Sequence, residues 1–359
     1  MSNIKIKLAA GTNVGLVRTN NEDNFVASRD LTASDWTIPQ IDEQIDLGEY
    51  GSLLVVADGM GGANAGEVAS AIAIETIQQT FASENLSEAV RSDGNITQFM
   101  VEAVKAADLN IYNRSKTDEK TVGMGTTIVM AWILGEKAYV CWCGDSRCYV
   151  YNGGILTRLS KDHSYVQELV DKGELSPENA HNHPYSNVIT RCLGDMQHRA
   201  VPDTRIHYLK DGDILLLCSD GLCGLCLDDE IASVVQEHQT DINDCKNELI
   251  SAALTAGGYD NVTVVMGAVQ MEESKKESED SEEGSEEEKD IVVEDESEME
   301  KTQPVKVSHQ GHLVRNLFFF LLFVLVVFCV VAYFNPDLYN TIISYLGIQP
   351  QEAATPQVE

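Results

Sequence analysis

Five acidic positions stand where carboxylates could share one site. Val56-Ala-Asp58-Gly59 closes one apolar run and Cys218-Ser-Asp220-Gly221 closes another. Cys143-Gly-Asp145-Ser-Arg147 reads as a turn after a third, and Tyr259-Asp260-Asn261 opens a fourth. The pair Glu22-Asp23 follows Arg18 near the N-terminus. Carboxylates at the ends of neighbouring strands point into a common space, where they repel one another unless a cation sits among them. An all-oxygen set suits hard divalent ions such as Mg2+ or Mn2+. A glycine beside an aspartate lets a backbone carbonyl approach the same ion. Two such ions can make a shared water nucleophilic and hold phosphoryl oxygens in line for displacement. The planar fork of Arg18 fits a phosphate. Asp-Gly is also the commonest turn pair, and no spacing rule makes distant aspartates converge. The residues alone therefore leave turn and ligand both open.

These positions need strands to carry them. Leu53–Ala57 and Ile214–Cys218 are continuous apolar runs, suited to strands buried on both faces. Thr126–Ile133 and Ala138–Cys143 read as a strand pair around Gly135, and Asn261–Val269 as a further strand. Glu67–Phe81 carries Val68, Ile72, Ile77 and Phe81 at helical spacing. Thr97–Tyr112 and Asn243–Leu254 are also expected to be helical, and no internal repeat is visible.

Charge divides the chain. The formal net charge is −32, which repels nucleic acid and argues against DNA or RNA as a partner. Met271 to Glu300 alone holds 16 acids against 3 bases. The expected organisation is a globular domain over residues 1–270 and an acidic disordered linker over 271–312. A transmembrane helix over 313–334 and a short extracytoplasmic tail over 335–359 follow. Leu317–Phe334 is 18 residues without a charge, long enough to cross hydrocarbon. Lys301, Lys306 and Arg315 precede it and no Lys or Arg follows, so the large domain is expected on the cytoplasmic side of the inner membrane, with a single pass. The linker spans on the order of 35 Å, and its charge repels anionic head groups. The nine cysteines are an odd number, and Met1–Ala10 lacks a long apolar run. Reduced thiols and a cytoplasmic setting are the expectation.

The wording of the motifs is more specific than their composition. Gly15-Leu-Val-Arg18-Thr-Asn-Asn21-Glu22-Asp23 and Val56-Ala-Asp58-Gly-Met-Gly-Gly62, with Gly66-Glu67 and Ala69-Ser70, resemble the first two motifs of the metal-dependent PPM (type 2C) serine/threonine protein phosphatases. Gly125-Thr-Thr127, Gly144-Asp-Ser-Arg147, Asp162-His163, Ser219-Asp-Gly-Leu222 and Asp260-Asn-Val-Thr263 are similar to later ones, in the right order, so the resemblance spans residues 8 to 269. It implies an α+β fold: a central β-sandwich of two mainly antiparallel sheets with helices on both outer faces. It implies that Asp23, Asp58, the Gly59 carbonyl, Asp220 and Asp260 surround two Mg2+ or Mn2+ ions, directly or through water, with Glu22 supporting that shell. Asp145 with Asp220 would form a third, weaker site, and Arg18 would hold the substrate phosphate. A flap is expected over residues 164–194. The implied partners are phosphorylated proteins, among them a serine/threonine kinase or its targets.

The chain departs from that pattern at Asn13, where the family usually has aspartate, and at Met60, where eukaryotic-type members often carry a general-acid histidine. The leaving-group acid is then unassigned, with His163 as one candidate. Two motifs belong to other chemistries. Cys141–Arg147 fits Cys-x5-Arg, but Cys141 lies in an apolar strand without a phosphate-cradling loop. Cys223-Gly-Leu-Cys226 lacks the second pair that a zinc site needs. The alternative to an enzyme is a membrane-tethered pseudophosphatase that binds phosphoproteins as a scaffold. Degenerate members usually lose metal aspartates, and all five positions are acidic here.

Overall fold

Ile4-Lys-Ile-Lys-Leu8 alternates with a period of two, and it forms the start of an eleven-residue strand whose Ile4, Ile6 and Leu8 are buried. In the computed structural model the described residues are 3–36, 43–61 and 65–272. All of them fall in the first of the two units into which the chain divides, Met1–Glu279. The strands are β1 (Asn3–Asn13), β2 (Asp23–Ser28), β3 (Gln44–Asp46), β4 (Ser52–Met60), β5 (Gly125–Thr126), β6 (Ile128–Leu134), β7 (Lys137–Cys143), β8 (Arg147–Asn152), β9 (Ile155–Arg158), β10 (Asp203–Tyr208), β11 (Ile214–Cys218) and β12 (Val262–Glu272). The helices are α1 (Gly66–Thr80), α2 (Leu86–Ala89), α3 (Asp93–Thr117), α4 (Tyr165–Asp171), α5 (Pro177–Ala180), α6 (Asp220–Cys223), α7 (Asp228–His238) and α8 (Ile242–Thr255).

Two sheets result. One runs β3-β1-β12-β11-β8-β9 and the other β10-β7-β6-β4-β2, with β5 paired to β4. Every strand pair in them is antiparallel. The inner faces pack on each other through Ile6, Leu54, Val56, Val140, Leu215 and Val265. The alternate residues of the same strands face outward. Leu53, Val55, Met130 and Trp132 meet α1 and α3. Leu216, Cys218, Val264 and Met266 meet α7 and α8. The apolar runs are continuous because their strands are covered on both sides. The expected sandwich with helices on both outer faces is the observed one.

Two helices differ in detail from expectation. In α1 the fully buried positions include Ala69, Ala73 and Ile77, while Val68 and Ile72 are only partly buried. The short alanine side chains let the helix lie close against the sheet. Helix α3 begins at Asp93 rather than Thr97, capped by the Ser92 side chain accepting from the Asn95 N–H at 3.1 Å. Among the described residues no helix is long and apolar enough to cross a membrane. The expected span at 313–334, like the linker and tail, lies outside the described residues.

Antiparallel pairing fixes where the acidic motifs go. It sets the C-terminal end of β4 beside the N-terminal end of β2, with Asp58 facing Asp23 across the ladder. It likewise sets the end of β11, at Cys218, beside Arg147 of β8 and Val264 of β12. Each sheet therefore gathers its acidic strand ends at one edge.

Leu54 is fully buried between the sheets, and a Cβ on Gly267 would lie 3.3 Å from its Cδ2. Leu54→Ala is expected to lower unfolding stability by about 2–5 kcal/mol. Urea denaturation would show this as a lower midpoint with an unchanged slope.

Candidate active site

The two sheet edges are joined by hydrogen bonds to one carboxylate. Asp23, on β2, accepts at Oδ2 from Ser219 Oγ after β11 and from Thr263 Oγ1 on β12, both at 2.7 Å. Asn261 ties the same corner: its Oδ1 accepts from the Glu22 N–H at 2.8 Å, and its Nδ2 donates to the Val14 and Asn20 carbonyls at 2.9 Å. The Glu22 carbonyl accepts from Ser70 Oγ at 2.7 Å, and the Gly66 N–H at the start of α1 donates to the Glu22 carboxylate. A negative charge at a helix N-terminus is favourable.

Asp58 is held from the other side. Its carbonyl accepts from the Thr127 N–H and from Thr126 Oγ1, both at 2.8 Å. Thr127 Oγ1 is 2.7 Å from Ser146 Oγ, next to Asp145. Gly59 follows at a position with no room for a side chain, since a Cβ there would lie 2.2 Å from the Gly66 carbonyl oxygen and 2.5 Å from that of Glu22. The Gly125-Thr-Thr127 and Asp260-Asn-Val-Thr263 motifs thus fix the backbone and orient the carboxylates.

The carboxylates meet. The carboxyls of Asp58 and Asp220 lie close enough to interact directly. Burial is the main force raising the pKa of Asp58, and Asp23, Asp220 and Asp145 add repulsion. Burial likewise raises Asp145 and Asp220, with repulsion from Asp220 and Asp260 respectively. Asp23 is pushed up to about 7, first by burial and then by Asp220 and Asp260, against its two hydroxyl donors. Arg18 reaches the group by donating to Asp260 Oδ2 at 2.7 Å. Arg147 is committed to Asp162, which it meets at 2.8 and 3.1 Å. Asp23, Asp58, Asp145, Asp220, Asp260, Glu22 and Arg18 are therefore brought into one neighbourhood. Among the described residues no three His, Cys, Asp or Glu side chains form a ready-made ligand set.

A cleft of about 610 Å³ opens from Asp145, Asp220 and Asp260. Its far wall is the 164–194 stretch, through Val166, Val170 and Pro177. That stretch contains α4 and α5 and is rooted at both ends. At one root the Tyr165 N–H donates to the Val188 carbonyl at 2.8 Å. At the other, Leu193 pairs with Thr126, and Asp108 on α3 accepts from the Gly194 N–H at 2.7 Å. Asp108 is buried and also meets Arg199 at 3.3 Å. Sequence reasoning missed Asp108. Its only signal was a charge among the apolar positions of a helix, which commonly marks a solvent-facing site.

The profile of the family described as protein phosphatase 2C matches residues 43–256. This chain belongs to the protein phosphatase 2C family. It is 34% identical over 264 residues to the serine/threonine protein phosphatase PstP of Mycobacterium tuberculosis, an alignment covering 74% of this chain and 45% of that protein. The chain thus spans about half the length of that relative. It is 33% identical over 214 residues to the serine/threonine phosphatase stp of Listeria monocytogenes, covering 60% of this chain and 83% of that protein. Among solved structures, the S. agalactiae serine/threonine phosphatase superposes with a TM-score of 0.63 at 31% identity, covering 74% of this chain and all of that one. The catalytic domain of PstP in complex with two manganese ions gives 0.59 at 32% identity, covering 74% of this chain and 99% of that one.

Within this protein phosphatase 2C fold, His163 is a structural residue. It is buried, its Nδ1 accepts from the Gly144 N–H at 3.1 Å, and its Nε2 faces Asp203 Oδ2 at 3.0 Å. Burial lowers its pKa. Both ring nitrogens are engaged, so it is not available as the leaving-group acid. The thiols are equally passive: burial raises the pKa of Cys141, and Cys223 and Cys226 are buried. His163→Phe would leave the Gly144 N–H unpaired beside Asp145. The expected cost is about 1–3 kcal/mol of stability in chemical denaturation, with turnover retained. Loss of turnover in a fully folded variant would return His163 to the chemistry.

Proposed function

We propose that this chain is a metal-dependent protein serine/threonine phosphatase, hydrolysing phosphoserine and phosphothreonine in proteins by attack of water. The observation that carries this reading is the convergence of acidic strand ends from both sheets: Asp23 faces Asp58 across the ladder and is held by Ser219 and Thr263 of the other sheet, with Asp145, Asp220 and Asp260 in electrostatic reach. Carboxylates crowded in this way repel one another, and a bound cation relieves that repulsion. The cluster's donors are all oxygens, which fits Mg2+ or Mn2+. Asp23, Asp58, the Gly59 carbonyl, Asp220 and Asp260 would hold two ions, directly or through water. Asp145 with Asp220 would hold a third more weakly. Such ions, when bound, lower the pKa of water and neutralise phosphoryl oxygens.

The chain's own residues supply position and charge. Ser219 and Thr263 hold Asp23 in one orientation, and Thr126 and Thr127 fix the Asp58 backbone. Glu22, its backbone tied to Asn261 and Ser70, would brace the water shell around the ions. Arg18 is half-exposed at the edge of the group and is ion-paired with Asp260. It can turn its remaining guanidinium donors to the substrate phosphate. No covalent phosphoenzyme is required, since the nearby thiol of Cys223 is buried and its pKa is raised.

The substrates would be cytoplasmic or membrane-bound phosphoproteins, including a serine/threonine kinase or its targets. The uncharged run Leu317–Phe334, preceded by Lys301, Lys306 and Arg315, supports a single-pass anchor that keeps the domain on the cytoplasmic side. Cell fractionation would test it: the full chain should sediment with membranes, and a chain ending at residue 312 should not. The scaffold alternative is disfavoured because every acidic position is retained and the carboxylates converge.

A phosphothreonine peptide assay with Mn2+ tests the catalytic reading. Asp58→Asn or Asp220→Asn should lower kcat by at least about 10²–10³-fold, and chelator should abolish turnover until Mn2+ is restored. Turnover that survives chelation would contradict the proposal.

A further inference from the structure

Three large apolar side chains stand in solvent around the Arg18–Asp260 pair. Leu16 is 68% exposed, Val17 62% and Tyr259 64%. Single exposed apolar residues are common on protein surfaces and need no explanation. These three are neither scattered nor loosely held. Leu16 and Val17 lead directly into Arg18, and Tyr259 leads directly into Asp260. The two chain segments are bound together, because the Leu16 N–H donates to the Gly258 carbonyl at 2.7 Å and the Asn261 side chain donates to the Val14 carbonyl at 2.9 Å.

The glycines between them explain how the side chains are braced. A Cβ on Gly258 would lie 2.8 Å from Leu16 Cγ, so Leu16 rests on bare backbone. A Cβ on Gly257 would lie 2.6 Å from the Tyr259 ring, so that ring rests on the neighbouring glycine. Gly257 and Gly258 have positive φ, +129° and +53° in that order. The turn at Gly15, with φ +81°, has its N–H bound to Asn13 Oδ1 at 2.9 Å. The backbone braces Leu16 and Tyr259 while leaving both exposed, with Val17 exposed beside Leu16 in the chain. Little further ordering is then needed when something binds there, which favours recognition.

We infer that Leu16, Val17 and Tyr259 form an apolar shelf that receives a bulky apolar side chain of the substrate polypeptide, next to its phosphorylated residue. This rests on the phosphatase reading above and names the substrate class it prefers. Its basis is continuity: the shelf borders Arg18, a half-exposed guanidinium at the edge of the carboxylate cluster whose donors beyond the one on Asp260 can meet a phosphate. A phosphate seated at Arg18 places the flanking residues of an extended peptide within a few ångströms of the shelf, since each residue advances about 3.3 Å. Tyr259 also lines the cleft that leads away from Asp220 and Asp260, so the shelf continues into the path a polypeptide would follow.

The test uses the full chain with Mn2+ and two phosphothreonine peptides that differ only in carrying leucines or serines on both sides of the phosphothreonine. Binding is read by fluorescence anisotropy and turnover by phosphate release, with p-nitrophenyl phosphate as a substrate that has no flanks. The leucine peptide should bind and turn over about tenfold better than the serine peptide, the scale of one apolar side chain in a pocket. Leu16→Ser and Tyr259→Ser should each reduce that preference several-fold, while Tyr259→Phe keeps it. Equal handling of the two peptides by the wild-type chain would overturn the shelf, even with p-nitrophenyl phosphate hydrolysed at full rate. A wild-type chain that hydrolyses nothing would sink the phosphatase reading, and the anisotropy preference would still decide the shelf. Should Leu16→Ser instead change only the sedimentation of the free protein, the shelf belongs to a second copy of the chain and the inference fails.

Discussion

Crowded, largely buried carboxylates that repel each other are the constraint around which this molecule is organised; Asp23 is buried, and Asp58, Asp145 and Asp220 are half-buried. Asp58, Asp145 and Asp220 all have pKa values raised by burial and by one another. A protein gains nothing in stability from gathering like charges in a place of low water content. The cluster persists because the rest of the fold over-determines it. Ser219 and Thr263 clasp Asp23, Asn261 clasps Glu22, and Thr126 and Thr127 clasp Asp58. Each clasp is a neutral donor or acceptor, so none of them discharges the cluster. That is the arrangement expected of a site that waits for cations.

The sandwich serves this end by simple geometry. Antiparallel ladders return alternate strands to the same edge, so motifs 196 and 240 residues apart in the chain, such as Asp23 with Ser219 and with Thr263, become hydrogen-bonded neighbours. Apolar burial on both faces of each sheet holds the edges rigid. The glycines at the edge solve a spacing problem, since Gly59 and Gly66 pass so closely that no Cβ fits.

Much of this was legible in the residues. The double-sided apolar runs at Leu53–Ala57 and Ile214–Cys218 became buried strands, and the Gly135 hairpin formed as read. The aspartates were visible as Asp-Gly and Asp-Asn pairs. Their convergence was not, because a turn and a ligand look alike until the ladders are drawn. Strand β1 was not among the expected elements, although the period-two alternation of Ile4 to Leu8 is the strand signal. Asp108 was hidden because its partners, Gly194 and Ala200, are backbone groups 86 and 92 residues away. His163 looked like a candidate acid beside an aspartate, and only its hydrogen bonds to Gly144 and toward Asp203 reveal a structural part.

The central claim is that aspartates from both sheets form one cation site, and calorimetric titration of Mn2+ into the full chain tests it most directly. The account predicts saturable binding of at least two ions per chain, with Asp58→Asn removing the tight binding while the fold, followed by circular dichroism, is retained. An Asp58→Asn chain that binds Mn2+ as the wild type does, or a wild-type chain that binds none, would contradict it.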